Sequence, residues 1–395
     1  MNAAAADTCF SCGGGNLRHF YEVRGIPVHS TLLMDSREEA TSYPKGDLRL
    51  GFCERCGFIQ NTLFDPKVHE YSPKCEESQG FSARFNRFLE AMTARLIRDH
   101  DLRGKRVLEI GCGKGDFLEL ICQMGDNDGI GIDPGVQPER KDRGAGRGIE
   151  FINDLYSEKY GHLTGDMVAC RHTLEHVQAT RDFVQIVRRA VADHPSSVIF
   201  FELPDVERVL KETAFWDVYY EHCSYFSLGS LARLFRACDF DLVRLEKDFG
   251  DQYLMLEGHP GARAAARKFP GEDDLETLAA DVDNFETTCR ATLARWKDLI
   301  GEYRRHGKTV VIWGSSSKGT AFLTTLGLGE EIAYVVDINP YRQNKFMPGT
   351  GHEIVAPELM RDVRPDAVIV MNPIYCDEIG AQLAAMGVKS DLIPA

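Results

Sequence analysis

No stretch of the 395 residues approaches the roughly 20 consecutive apolar positions that a membrane-spanning helix needs, so no membrane association is expected. The first residues, MNAAAADTCFSC, lack the basic region and the long apolar segment of a secretory signal, and a cytoplasmic location is the expectation. Positive charge is also short. Against 60 Asp and Glu there are 46 Lys and Arg, a net −14, which a nucleic-acid backbone would repel. A small anionic ligand held by backbone amides stays admissible. No short-period repeat is evident. The length exceeds what one core usually serves, so two or three domains are expected. Either a monomer or a small homo-oligomer is compatible with these totals.

Cysteine is not scarce: there are 12, and four of them form the pairs CFSC (Cys9, Cys12) and CERC (Cys53, Cys56). Two C-x2-C knuckles can close a tetrahedral thiolate site around Zn²⁺ with no coordination position left open, the mark of a structural metal. A redox pair would need one such motif near a βαβ pattern, and both knuckles precede any such pattern. The expectation is a zinc-binding module over residues 1–70.

Beyond it, KRVLEIGCGKGDFLELICQMG reads as strand, glycine turn and helix, and DGIGIDPG as a second strand ending in Asp133. Further strands are expected at GIEFIND, DMVACRHTLEHV, SSVIFFELP, FDLVRLEKD and DQYLMLEG. Buried strands alternating with helices predict a doubly wound, largely parallel sheet over 71–258. The breaker-rich GHPGARAAARKFPGEDD then leads to a long helical stretch and a second α/β unit, KTVVIWGSSSKGTAFLTTLG, IAYVVDINP and DAVIVMNP. The fold class is therefore α/β: a Rossmann-like sheet between an N-terminal zinc module and a C-terminal Rossmann-like domain over 259–395.

The loop LEIGCGKG sets Glu109, Gly111, Gly113 and Gly115 between strand and helix, with Asp133 22 residues after Gly111. A glycine turn followed by an acid also suits nicotinamide cofactors. Two features favour S-adenosylmethionine. Glu109 precedes the loop, where it can meet the ammonium of the methionine portion, and the close glycines let backbone lie against a ligand that has no pyrophosphate. Asp133 would accept from the ribose hydroxyls, and Asn153 and Asp154 would reach the adenine edge. Phe117, Pro134 and His172 complete the expected cofactor wall.

Ligands bind at the carboxyl edge of such sheets. Two stretches fall there: CRHTLEHV, with His172, Glu175 and His176, and WDVYYEHCSYFS, with Tyr219, Tyr220, Glu221 and His222. HEYSPKC adds Tyr71 at the junction with the zinc module. A lone histidine on an apolar face is usually a packed core residue, but two His and two Tyr on one sheet edge argue for acid–base chemistry.

The succession of C-x2-C, C-x2-C, E-x-G-x-G, YYEHCSYFS and VVIWGSSSKG…VVDINPYRQNKFMPGTGHEIVAPE resembles the deoxysugar C-methyltransferases over nearly the whole chain. These include C3-methylating enzymes of nucleotide-linked 4-keto-6-deoxysugars in antibiotic biosynthesis. The resemblance implies catalytic Tyr219, Glu221 and His222, with His176 and Tyr71 as further site residues. The chain departs from the family twice: Tyr220 replaces the first histidine of the family's YHEHxSYFS block, and GSSSKG replaces GAGxKG. The substrate implied by the resemblance is a nucleotide-diphosphosugar made acidic at C3 by its 4-ketone. His222 would act as general base, Glu221 would orient its ring, and Tyr219 or Tyr71 with His176 would donate to the oxyanion. Tyr220, Gly314, Ser315, Ser316, Lys318, Asp337, Arg342 and Lys345 are expected to hold substrate, with phosphate at the GSSSKG turn. The alternatives are an O- or N-methyltransferase of the same architecture, a nicotinamide oxidoreductase, and a catalytically silent binding protein.

Overall fold

The structure is a computed structural model that describes residues 8–68, 74–136, 148–261 and 267–395. Its architecture is the expected one: a Rossmann-like sheet flanked by a cysteine-bearing N-terminal module and a second Rossmann-like sheet.

The N-terminal sheet is antiparallel, in the order β1 (Arg18–Pro27), β2 (Lys45–Phe52), β3 (Ile59–Asn61) and β9 (Ser224–Tyr225). Its fourth strand comes from YYEHCSYFS: Tyr225 pairs with Ile59 and Ser224 with Gln60. The stretch singled out for chemistry is thereby sewn to the cysteine module.

The central sheet uses β4 (Arg106–Ile110), β5 (Asp128–Ile132), β6 (Ile149–Ile152), β7 (Met167–Arg171), β8 (Val198–Pro204), β10 (Phe240–Asp248) and β11 (Tyr253–Pro260) in the order β10-β11-β8-β7-β4-β5-β6. From β8 to β6 every pairing is parallel, and β11 and β10 close the edge as an antiparallel hairpin. Helices cover a parallel sheet on both faces, which is why Val107, Leu108, Glu109 and Ile110 are all buried. The chain order reverses between β7 and β4, so the crevice outside their carboxyl ends is where ligands bind in such sheets.

The third sheet takes β12 (Val310–Trp313), β13 (Val335–Val336), β14 (Lys345–Phe346), β15 (Glu353–Val355), β16 (Ala367–Val370) and β17 (Asp391–Pro394), ordered β14-β15-β13-β12-β16-β17. All its pairings are parallel except β14 with β15. A 31-residue helix, Leu275–Arg305, precedes it and buries the stripe Leu278, Val282, Phe285, Cys289, Trp296 and Ile300. One apolar core joins all parts, running from Phe20 and Leu50 through Trp216 to Phe285, Trp296 and Phe322. Trp216 meets Trp296 and Phe322 edge-on, at 6.1 and 6.2 Å between ring centroids. Burying an aromatic of this size contributes about 2–3 kcal/mol. That anchor fixes the start of the reactive stretch. Its end is fixed by Ser227, which caps the helix Leu228–Ala237 in a reciprocal box with Ser230.

Candidate active site

A cavity of about 880 Å³ opens between the central and third sheets, with residues of the N-terminal module on a third side. The β4 turn forms one wall. Gly111, at φ +69°, has no room for a side chain, because a Cβ there would stand 1.9 Å from Thr173 Oγ1. Glu109 lines the cavity yet is only 2% exposed, and its Oε2 has no hydrogen-bond partner among the described residues. Burial pushes its carboxyl up to about 8 against the opposing charge of Arg171. Asp133 accepts from the amides of Gly113 (3.0 Å) and Gly135 (2.6 Å), so it stands fixed at the end of β5. An unpartnered buried carboxyl oxygen beside a turn whose Gly111 leaves no room for a side chain fits a ligand that carries an ammonium group and lies against backbone. That describes the methionine end of S-adenosylmethionine.

Phe117 and Pro134 also line this cavity. Gly115 does not; it caps the helix Asp116–Gly125 and packs on Phe151. Asn153 and Asp154 are a correction, since neither reaches the cavity. The turn after β6 uses their side chains: Asn153 donates to the carbonyl of Val136 (3.2 Å), and Asp154 binds Lys159 (2.8 Å) and the hydroxyl of Tyr160 (2.6 Å).

At the end of β7, His172 adopts a left-handed backbone, φ +47°, and presents its ring between two carboxylates. Nε2 lies 3.1 Å from Glu202 and Nδ1 3.5 Å from Glu175. Burial opposes its charge, but Glu202 and Glu175 outweigh that and raise it to about 9, so the ring is an imidazolium at neutral pH. His222 is the opposite case. It is 6% exposed, and burial, helped by the charges of His176, His172 and Lys318, keeps it well below the ordinary histidine value. Its ring is neutral and stands 4.1 Å from that of Tyr219 and 4.7 Å from that of His176. Burial lowers His176 as well, and its Nδ1 lies 3.1 Å from the carbonyl oxygen of Glu221. Burial raises the Tyr219 hydroxyl well above the usual tyrosine value, which keeps it protonated and able to donate. Glu175, His176 and His222 bring donor atoms within 4.8 Å of one another, a compact set for moving a proton.

Glu221 stands differently from expectation. Its carboxylate faces the N-terminal module: Oε1 accepts from the amide of Ser30 (2.9 Å) and from the Ser30 hydroxyl, and lies 3.9 Å from His29 Nδ1. An orienting role toward His222 is therefore corrected. Glu221 still lines the cavity beside His29, and its second oxygen has no hydrogen-bond partner among the described residues. Burial lifts its carboxyl to about 7, with Ser30 opposing. Tyr220 is corrected as well. It turns away from the cavity, 2% exposed, and its hydroxyl accepts from the amide of Asp65 (2.9 Å) beside Phe64. It is a packing residue. Tyr71 lies outside the described residues.

On the third sheet, Gly314, Ser316, Lys318, Asp337 and Arg342 line the cavity, whereas Ser315 and Lys345 do not. Ser315 is held under the turn by Asp337, whose Oδ2 accepts from its amide (2.9 Å) and from its hydroxyl. Lys345 pairs with Asp35 on β14, away from the cavity. Arg342 donates to the carbonyls of Ser315 and Glu76. Lys318 binds Asp217 at 2.9 Å.

Sequence reading missed Ser30 and His29, which lie some 190 positions before Glu221 in the chain and carry no motif. Asp217 was in view inside WDVYYEHCSYFS but drew no role. In the N-terminal module, Cys9, Cys12, Cys53 and Cys56 converge, with Cys9–Cys56 and Cys12–Cys53 sulfur separations of 3.6 Å. That is far longer than a disulfide, at about 2.05 Å. It matches the edge of a tetrahedron with metal–sulfur bonds of about 2.3 Å.

Comparison with known proteins finds similarity to methyltransferases. Residues 81–245 match the family model of a methyltransferase domain, and residues 268–391 match that of a C-methyltransferase C-terminal domain. The chain is 26% identical over 399 residues to the C-methyltransferase NovU of Streptomyces niveus, covering 94% of this chain and 91% of that one. It is 32% identical over 106 residues to a ubiquinone biosynthesis O-methyltransferase of Erwinia tasmaniensis, covering 25% of this chain and 42% of that one. Among solved structures it is similar to 1,6-didemethyltoxoflavin-N1-methyltransferase of Burkholderia thailandensis with bound S-adenosylhomocysteine. The TM-score there is 0.36, with 16% identity over 46% of this chain and 82% of that one.

Proposed function

We propose that this chain, a member of the S-adenosylmethionine-dependent C-methyltransferases, methylates C3 of a nucleotide-diphospho-4-keto-6-deoxysugar in the cytoplasm, with His222 removing the C3 proton. The observation that carries the reading is the meeting of two features in one cavity. A buried carboxyl oxygen of Glu109 is left without a partner among the described residues, and a neutral imidazole at His222 lies against the rings of Tyr219 and His176. When bound against the β4 turn, S-adenosylmethionine supplies an electrophilic methyl group to the substrate carbon.

The chain's own residues do the rest. His222, neutral at pH 7, accepts the proton that the adjacent ketone makes acidic; a positioned base of this kind contributes roughly 10²–10⁴-fold. Tyr219, protonated and packed on the imidazole, donates a hydrogen bond to the developing oxyanion. His176 takes part in passing the proton on, its ring fixed by the Glu221 carbonyl. Ser316, at the N-terminus of the helix Ser317–Leu326, offers its backbone amide to the nucleotide phosphates, the Gly314 amide being taken by the Val336 carbonyl at 2.8 Å. The four converging thiols hold a structural Zn²⁺. One equivalent of zinc per chain by elemental analysis, lost in Cys53→Ser, is the expected result.

The experiment that tests the reading supplies methyl-labelled S-adenosylmethionine with a panel of such sugars. Label bonded to carbon, on one panel member, is expected. Label on oxygen or nitrogen alone would overturn the C-methylation reading.

A further inference from the structure

We propose that Lys318 is a catalytic residue, its ammonium donating to the enolate oxygen that forms when C3 of the ketosugar loses its proton. This rests on the reading above and deepens it.

In the chain, Lys318 belongs to the GSSSKG turn of the third sheet, where a phosphate role is the natural expectation. In space it belongs to the other side. Its ammonium lies 2.9 Å from Asp217, two residues before Tyr219. Arg208 pairs with the same carboxylate from beyond, and its other arm meets Glu212, whose side chain is 54% exposed. A small recess bounded by Asp217, Arg208, Glu175, Tyr219 and His222 adjoins this group. An ammonium has three N–H donors, and Asp217 is the one partner of Lys318 among the described residues. A donor thus remains to face the cavity that Lys318 lines with Tyr219 and His222. Its charge is one of those that keep the His222 imidazole neutral, so the two groups lie within electrostatic reach.

A diphosphate seat fits this place less well. The other cations expected to share it are engaged elsewhere, Arg342 on two carbonyls and Lys345 outside the cavity. A phosphate bound at Lys318 would also fill the space beside Tyr219 and His222 that the ketone must occupy.

In the proposed step the C3–H bond breaks and the proton goes to His222. The electron pair forms the C3–C4 double bond, and the carbonyl π pair moves onto O4. Lys318 hydrogen-bonds that oxygen and keeps all its protons. When C3 forms its bond to the methyl group, the C4 carbonyl re-forms and the thioether leaves.

The test uses the full chain and a panel sugar that wild type methylates, deuterated at C3. Two quantities are measured: wash-out of that deuterium with S-adenosylhomocysteine bound, and steady-state methylation. Lys318→Met should slow wash-out and kcat together by about 10²–10³-fold, with KM within about threefold and S-adenosylhomocysteine binding retained as the check on folding. Lys318→Arg, which keeps the charge, should recover part of both. A KM raised tenfold or more with kcat and wash-out preserved would make Lys318 a phosphate holder and overturn the inference. So would unchanged wash-out and kcat in Lys318→Met. Should Lys318→Met fail to bind S-adenosylhomocysteine, Lys318→Arg and Lys318→Gln carry the same comparison. A wild-type enzyme that leaves C3 deuterium in place would overturn the reading of the reaction, and this inference with it.

Discussion

The turns after β4 and β12 share one grammar: a buried strand, a glycine-containing turn, a helix, and an acid closing the next strand, Asp133 in one and Asp337 in the other. Their side-chain partners separate them. At the first, Glu109 keeps an oxygen unpartnered and Gly111 leaves no room for a side chain. At the second, Asp337 is engaged by the amide and hydroxyl of Ser315 and the amide of Asn339, and Lys318 has turned to Asp217. Both closing acids are held by backbone amides, so what sets the first turn apart is the unpartnered oxygen of Glu109. The second turn has become a wall of the first turn's cavity.

The largest effect should come from adding one methyl group to each turn. Both backbones have positive φ, +69° and +116°, but Gly111→Ala places Cβ 1.9 Å from Thr173 Oγ1 in the cofactor wall, whereas at Gly314 the nearest atom is 3.3 Å away, on Met371. Strain and displacement of Thr173 should weaken S-adenosylmethionine binding by about 100-fold or more in Gly111→Ala. Gly314→Ala should change it little; calorimetric titration of both variants decides.

Next in size is the exchange of acids for amides. Glu109→Gln should weaken the same binding by about 10–100-fold, the loss of one charge-assisted bond, while Asp337→Asn leaves it unchanged. Glu109 near 8 is mostly protonated at pH 7 in the free protein. An ammonium partner lowers that value, so binding should release most of a proton at pH 7 and almost none at pH 9. Titration in two buffers of different ionisation enthalpy measures this, and Glu109→Gln should abolish the release.

The smallest effect expected is at Ser30. Removing its hydroxyl in Ser30→Ala takes a stabilising donor from the ionised Glu221. The Glu221 carboxyl should then rise further above about 7, read as a shift of its carbon-13 NMR titration to higher pH, and Ser30→Thr should restore it.

Much of this was legible in the sequence because local rules govern it. The glycine spacing and the buried apolar runs forecast β4 to β8, and the paired cysteines forecast the thiol cluster. What was not legible depends on direction and distance. Nothing local distinguishes Tyr219, which faces the cavity, from Tyr220, which packs on Phe64, because neighbours in the chain diverge in space. Nothing local joins Ser30 to Glu221, or Lys318 to Asp217; tertiary packing of three sheets brings them together. Asn153 and Asp154 misled because a polar pair at a strand end serves a turn as readily as a ligand.

The central claim is that one neutral imidazole takes a proton from carbon. Proton NMR of the C3 position, followed in D₂O with S-adenosylhomocysteine bound, tests it most directly. Wild type should exchange that hydrogen, and His222→Asn, still binding both ligands, should exchange it slower by about 10²–10⁴-fold. Exchange at the wild-type rate in His222→Asn would contradict the account.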